Sequence, residues 1–219
     1  MSALAAKLER ETPSVAIIVG KEDLLIREAR DMVLSSAPGG RPDSDQIQTI
    51  SPQSKPDDER LQDIFDDLRT PNLFGGVPVI VLEGADRWLK SGTDAWVDFL
   101  QNPVKDSLLI LISTQLDGRS KLAKSLKSSG WWIGADRPFH RPPPWKPESR
   151  PWDNPLNQWL VHRLRQQKLK VDAKVAQLAI DRMGPVMSPL AQLAEKLAVV
   201  CTAENVETVT EDLLLEHLP

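Results

Sequence analysis

The sequence predicts an α/β domain built on a parallel sheet, followed by a small all-α bundle. Three observations carry this reading: short apolar runs that alternate with amphipathic helical segments, a dense proline stretch beyond the middle, and a helical pattern from Leu156 onward. With 219 residues, 41% of them hydrophobic and 26% charged, the chain has the length and composition to bury a core in each part.

The first element is VAIIVG, Val15 to Gly20, a continuous apolar run rich in β-branched residues that reads as a buried parallel strand. In KEDLLIREARDMVLSS the residues Leu24, Leu25, Ala29, Met32 and Val33 recur at helical spacing, with Glu22 and Asp23 at the N-terminal end of the dipole. Glycine and proline in APGGRPDSD then break the chain. QIQTI, Gln46 to Ile50, alternates polar and apolar residues as a more exposed strand does.

DDERLQDIFDDLR places Leu61, Ile64, Phe65 and Leu68 at i, i+3, i+4 and i+7 beneath an acidic face, which predicts an amphipathic helix. VPVIVLE, Val77 to Glu83, and SLLILIST, Ser107 to Thr114, are further buried strands; between them SGTDAWVDFLQNP predicts a helix with Trp96, Phe99 and Leu100 inward. KLAKSLKSSG adds a basic helix stopped by Gly130, and Trp131, Trp132 and Ile133 form a short segment that closes the sheet.

Seven prolines from Pro138 to Pro155 forbid a helix and stiffen the chain into an extended connector, with a PxxP ligand for an aromatic groove as the other reading. The expected organisation is therefore an α/β domain over 1–140, a proline-rich connector over 141–154 and a helical domain over 155–219. In that last part PLNQWLVHRLRQQ, VDAKVAQLAIDRMG and SPLAQLAEKLAVVC read as three amphipathic helices, and VTEDLLLEHLP starts another. Asp172 and Ser188 are the expected N-caps, with Pro189 just inside the third helix.

Several function classes are disfavoured. No stretch approaches the ~18 apolar residues needed to cross a bilayer, and MSALAAKLERETPS is too charged for a signal-peptide core, so a cytoplasmic location without membrane partners is expected. Cys201 is the single cysteine, read as a buried small residue; neither an intramolecular disulfide nor a cysteine zinc module can form. The first strand ends in VGKEDLLI, which lacks GxxxxGK[ST], and Glu22 and Asp23 would repel a polyphosphate. His140, His162 and His217 show no metal-like spacing, and carboxylate pairs such as Asp66 and Asp67 sit on the solvated face of a helix. No enzyme, cofactor or metal is expected.

Charge is uneven. Residues 119–170 hold twelve Lys and Arg against three Asp and Glu, within a chain whose net charge is -4. Arg119, Lys121, Lys124 and Lys127 are accordingly candidates for a DNA-facing surface, the alternative being a solvated face.

Three stretches together resemble the delta subunits of bacterial DNA polymerase III: VGKEDLLIREAR, LRTPNLFGGVPVIVLEGAD and LDGRSKLAKSLKSSG. The bundle sequence WLVHRLRQQKLKVDAKVAQLAIDRMG, followed by a leucine-rich EKL helix, is similar to the lid domain of that family. The resemblance implies an AAA+-like α/β domain that lacks a phosphate loop, followed by a helical lid. It covers two domains of a family that continues into a third, the helical collar. It also implies a clamp-loader subunit that binds and helps open the sliding clamp beta without hydrolysing ATP. The implied partners are gamma or tau, delta-prime and, through the assembled loader, primed DNA. In the family a Leu-Phe pair at the tip of a short helix enters a pocket of the clamp, and the matching residues are Leu73 and Phe74. Thr70 and Pro71 fit the start of such a turn, and Gly75 and Gly76 fit its end. Without the resemblance, Leu73 and Phe74 read as core residues leading into a strand. The rival functions are a degenerate nucleotide-binding protein and a DNA-binding adaptor.

Overall fold

The computed structural model describes residues 2–51, 56–71, 76–128, 131–146 and 148–218. Contacts divide the chain into two compact units, Met1–Asp136 and Arg137–Pro219. Among the described residues no helix is long and apolar enough to cross a membrane.

The first unit runs α1 (Ser2–Leu8), β1 (Val15–Val19), α2 (Asp23–Ser35), a 3-10 turn (Ser44–Gln46), β2 (Ile47–Ile50), α3 (Asp58–Arg69), β3 (Val79–Glu83), α4 (Ala85–Lys90), α5 (Thr93–Gln101), β4 (Leu108–Ser113), α6 (Lys121–Ser128) and β5 (Trp132–Gly134). Its five strands pair in parallel in the order β2-β3-β4-β1-β5, so the apolar runs lie in the middle and the alternating QIQTI strand lies at an edge. Parallel strands buried on both faces need apolar residues at successive positions, and β1, β3 and β4 supply them.

One face packs Ile17, Ile80, Leu82, Leu109 and Leu111 against Leu61, Ile64, Phe65 and Leu68 of α3 and against α4, α5 and α6. Phe65 stacks on Phe99 at 4.3 Å and meets the Trp96 ring edge-on at 5.1 Å, a set of arrangements favoured by the aromatic quadrupole. The Trp96 indole N–H donates to the Trp88 carbonyl at 2.8 Å, tying α5 to α4. Helices α1 and α4 escaped sequence reasoning. Both are too short for a helical period to stand out, although Ala85, Trp88 and Leu89 of α4 are buried.

The second unit contains α7 (Pro155–Gln166), β6 (Lys170–Val171), α8 (Ala173–Met183), α9 (Met187–Ala203), β7 (Thr208–Val209) and α10 (Glu211–His217). Leu156, Leu160, Leu164, Ile180, Leu190 and Leu197 are among its buried residues, and Cys201 is buried as expected. Burial first, then the nearby Glu204 charge, pushes the Cys201 thiol above its ordinary range.

Three readings of this region are corrected. It is not entirely helical, because β6 and β7 form a small parallel pair. Asp172 caps α8 by accepting from the Lys174 N–H, but Ser188 does not cap α9. That helix starts at the fully buried Met187, leaving Ser188 and Pro189 inside its first turn, where a missing proline N–H costs little. The prolines of the connector do not hold it extended. Carbonyls of Pro143, Lys146 and Arg150 each accept an N–H three residues on, making a chain of turns. Pro144 and Pro151 occupy second turn positions, which the fixed proline φ favours.

Candidate functional site

Open parallel sheets bind ligands in the crevice at the C-terminal ends of their strands. In this unit three backbone N–H groups of that crevice are already paired. The Gly20 N–H, just after β1, donates to the Ser113 carbonyl at the end of β4 at 3.0 Å. The Glu22 N–H donates to the Ala135 carbonyl at 2.9 Å, and the Ala135 N–H returns to Val19 at 2.7 Å. Residues 135–136 thus lie against the turn where a phosphate loop would sit. A Cβ on Gly20 would come within 2.1 Å of the Ala135 carbonyl carbon, and its φ of +157° also suits glycine. Glu22 and Asp23 add negative charge at the start of α2.

Asp86 holds the neighbouring part of this crevice. Its Oδ1 accepts from Ser113 Oγ at 2.9 Å, Thr114 Oγ1 at 3.2 Å and the Gln115 N–H at 3.0 Å. Its Oδ2 accepts from the Thr114 N–H at 3.2 Å. Burial works to raise the pKa of this carboxyl, but the bonds from Gln115, Thr114 and Ser113 outweigh it and hold it below the ordinary aspartate value. Asp86 therefore locks the β3–α4 junction to the end of β4. Sequence reasoning missed it because its partners lie 27 to 29 residues away.

The described flanks of the expected clamp-binding segment lie at the end of α3 and the start of β3. Leu73 and Phe74 lie outside the described residues; their flanks do not. Thr70 closes α3, with its N–H bonded to the Asp67 carbonyl and its hydroxyl donating to the Asp66 carbonyl at 2.9 Å. Past the pair, Gly76 takes a φ of +82°, open to glycine and strained for other residues, and Pro78 accepts from the Leu108 N–H as β3 begins. Helix α3 is fastened at its other end by Asp57, whose carboxylate accepts from the Arg60 N–H.

On α6 the buried residues Leu122, Ala123 and Leu126 face inward, while Lys121, Lys124 and Lys127 stand exposed at a spacing of three along the outer face. Lys127 lies 4.9 Å from the Trp132 ring centroid and donates to the Gly118 carbonyl at 3.4 Å. Arg119 is 96% exposed and 3.7 Å from the Asp117 carboxylate. All four cations of this group are thus presented to solvent. Among the described residues no three His, Cys, Asp or Glu are grouped to hold a metal ion.

Among the described residues of the second unit, Asn154, Asn157 and Gln177 form a buried polar cluster. Asn154 Nδ2 donates to Gln177 Oε1 at 2.8 Å and to the Pro151 carbonyl at 2.9 Å, and Asn154 Oδ1 accepts from the Asn157 N–H at 2.8 Å, capping α7. The Asn-Pro pair ahead of an apolar helix was a legible capping signal, but Gln177, more than 20 residues on, was not.

The family model of the DNA polymerase III delta subunit matches residues 17–136, a span that includes the crevice, Leu73, Phe74 and α6. No curated protein sequence matches significantly. Among solved structures, the Bacillus subtilis DNA clamp loader delta protein (YqeN) superposes with a TM-score of 0.73 at 16% identity, over 98% of this chain and 61% of that one. The chain therefore spans less than two thirds of that protein. A RuvB variant of Thermotoga maritima matches at a TM-score of 0.47 and 12% identity, over 99% of this chain and 65% of the other. A DNA polymerase III gamma subunit-related protein of the same organism matches at 0.45 and 15% identity, over 98% and 64%. The first of these likenesses assigns the AAA+-like fold expected from the sequence.

Proposed function

We propose, since the chain belongs to the DNA polymerase III delta-subunit family, that it serves as a non-catalytic clamp-loader subunit that binds the sliding clamp and helps to open it. The observation that carries this is the family match across residues 17–136, which contains the LRTPNLFGG segment in sequence and in order with the strands around it. Leu73 and Phe74 are the proposed anchor. Burial of the two side chains contributes about 3–6 kcal/mol, short of the ~8.2 kcal/mol of a micromolar complex, so neighbouring contacts share the interface. The subunit favours an opened ring by binding that state more tightly.

The paired amides of Gly20 and Glu22, the Ala135 backbone against Gly20 and the hydrogen-bonded Asp86 support a subunit that does not hydrolyse ATP. In this reading ATP-driven steps belong to gamma or tau, with delta-prime completing the loader, and the assembly works on primed DNA in the cytoplasm. Arg119, Lys121, Lys124 and Lys127 are the proposed DNA-facing cations of the first unit. A pull-down with the organism's sliding clamp tests the reading: wild type retains the clamp, and Leu73→Ala with Phe74→Ala loses it while melting at the same temperature. Titration calorimetry with ATP and magnesium is expected to show no heat of binding.

A further inference from the structure

The connector of the second unit is a closed loop with an aromatic tip. The Leu156 N–H donates to the Phe139 carbonyl at 3.0 Å, so the chain between them leaves and returns at one point. Buried Asn154 fastens the returning arm through Pro151 and Gln177. Three successive turns then hold the loop without a helix or a strand. Compact loops of this kind, tied at the base, are frequently functional.

What the loop presents is unusual for a soluble surface. Trp145, at the third position of the Pro143–Lys146 turn, is 78% exposed, and Phe139 at the base is 81% exposed. Trp152, by contrast, is half-buried, with Arg150 at 5.8 Å and Lys174 at 5.2 Å from its ring, so cation–π pairing is already used inside the unit. Arg137, Arg141, Lys146 and Arg150, which flank the two aromatics in sequence, are exposed. Against them the segment sets Glu148 and Asp153, and the Asp153 carboxylate accepts from the Arg150 N–H at 3.0 Å.

Exposed aromatic faces interleaved with cations are the composition of a single-strand binding surface: bases stack on the rings and phosphates pair with the cations. Duplex readout would need a helix or ribbon to enter a groove, and the described residues of the loop form neither. We infer that the loop between Phe139 and Leu156 binds single-stranded DNA, with Trp145 and Phe139 as stacking platforms and Arg141 and Lys146 as phosphate contacts. Family membership enters only in the choice of DNA over RNA. The inference stands apart from clamp binding through Leu73 and Phe74.

Fluorescence anisotropy of a labelled oligo(dT) of about 20 nucleotides, with the full chain and no clamp present, tests it. Wild type is expected to bind at about 50 mM salt and to weaken as salt rises. Trp145→Ala is expected to weaken binding roughly 5- to 150-fold, the range of one lost base stack, whereas Trp145→Phe keeps most of it. Arg141→Gln with Lys146→Gln is expected to lower the salt slope by about 1.4, as for two phosphates of a single strand. Unchanged melting temperatures separate these effects from misfolding. Absence of wild-type binding, full affinity in Trp145→Ala, tighter binding to oligo(U) RNA, or loss only on Lys121→Gln with Lys124→Gln would each overturn the inference.

Discussion

Replacement of Asp86 by asparagine isolates the charge that ties α4 to the end of β4. The amide oxygen can still accept from Ser113 Oγ, Thr114 Oγ1 and the Gln115 N–H, all of which meet one carboxylate oxygen. The amide nitrogen then faces the Thr114 N–H, donor against donor, where the carboxylate contact is 3.2 Å. Hydrogen bonds to a charged group contribute about 1.5–3 kcal/mol and neutral ones about 0.5–1.5. Thr114 and Gln115 are exposed, so water replaces part of the loss. A net cost of about 1–2 kcal/mol at pH 7 follows, to be read from urea unfolding curves of the two proteins. The folded-state pKa of Asp86 lies below its unfolded value of ~3.9. Its stabilisation is therefore complete above about pH 5 and lost as pH falls through the folded pKa. The gap between wild type and Asp86→Asn should stay constant from pH 7 to about 5 and shrink below about 4. A gap that is absent at pH 7, or that fades between pH 7 and 5, would refute the role given to this carboxylate.

Other substitutions probe the same framework. Gly20→Ala is expected to displace residues 135–136 and cost about 1–3 kcal/mol, since the new Cβ meets the Ala135 carbonyl carbon at 2.1 Å; a lowered melting temperature checks it. Trp96→Ala, at a fully buried site between Phe65, Phe99 and Trp88, should cost about 3–5 kcal/mol in urea unfolding. Gln177→Leu removes the acceptor of the Asn154 amide and should cost about 1–3 kcal/mol, seen as faster amide exchange in α7 and α8 with the first unit unchanged.

Much of this architecture was legible because its signals are local. Val15 to Val19, Val79 to Leu82 and Leu108 to Leu111 are unbroken apolar runs, and a strand buried on both faces needs nothing else. The spacing of Leu61, Ile64, Phe65 and Leu68 placed α3 and its buried face together. Short elements were not legible: two residues at Lys170–Val171 cannot show a period of two, and Ala85–Lys90 is less than two helical turns. The start of α9 was misplaced because a serine ahead of a proline is a strong local cap, whereas burial of Met187 is a tertiary demand. Prolines marked the connector correctly as non-helical, but whether they extend or turn a chain depends on bonds such as Lys146 to Pro143. Closure of the crevice was half visible. The missing phosphate loop could be read from VGKEDLLI, while the approach of Ala135 to Gly20 joins residues more than a hundred positions apart.

The central claim, that this family member grips the sliding clamp through Leu73 and Phe74, is tested most directly by surface plasmon resonance on immobilised cognate clamp. The double variant Leu73→Ala with Phe74→Ala is expected to bind at least about 100-fold more weakly than wild type, since the two buried side chains supply about 3–6 kcal/mol. A double variant that folds normally and binds the clamp with wild-type affinity would contradict the account.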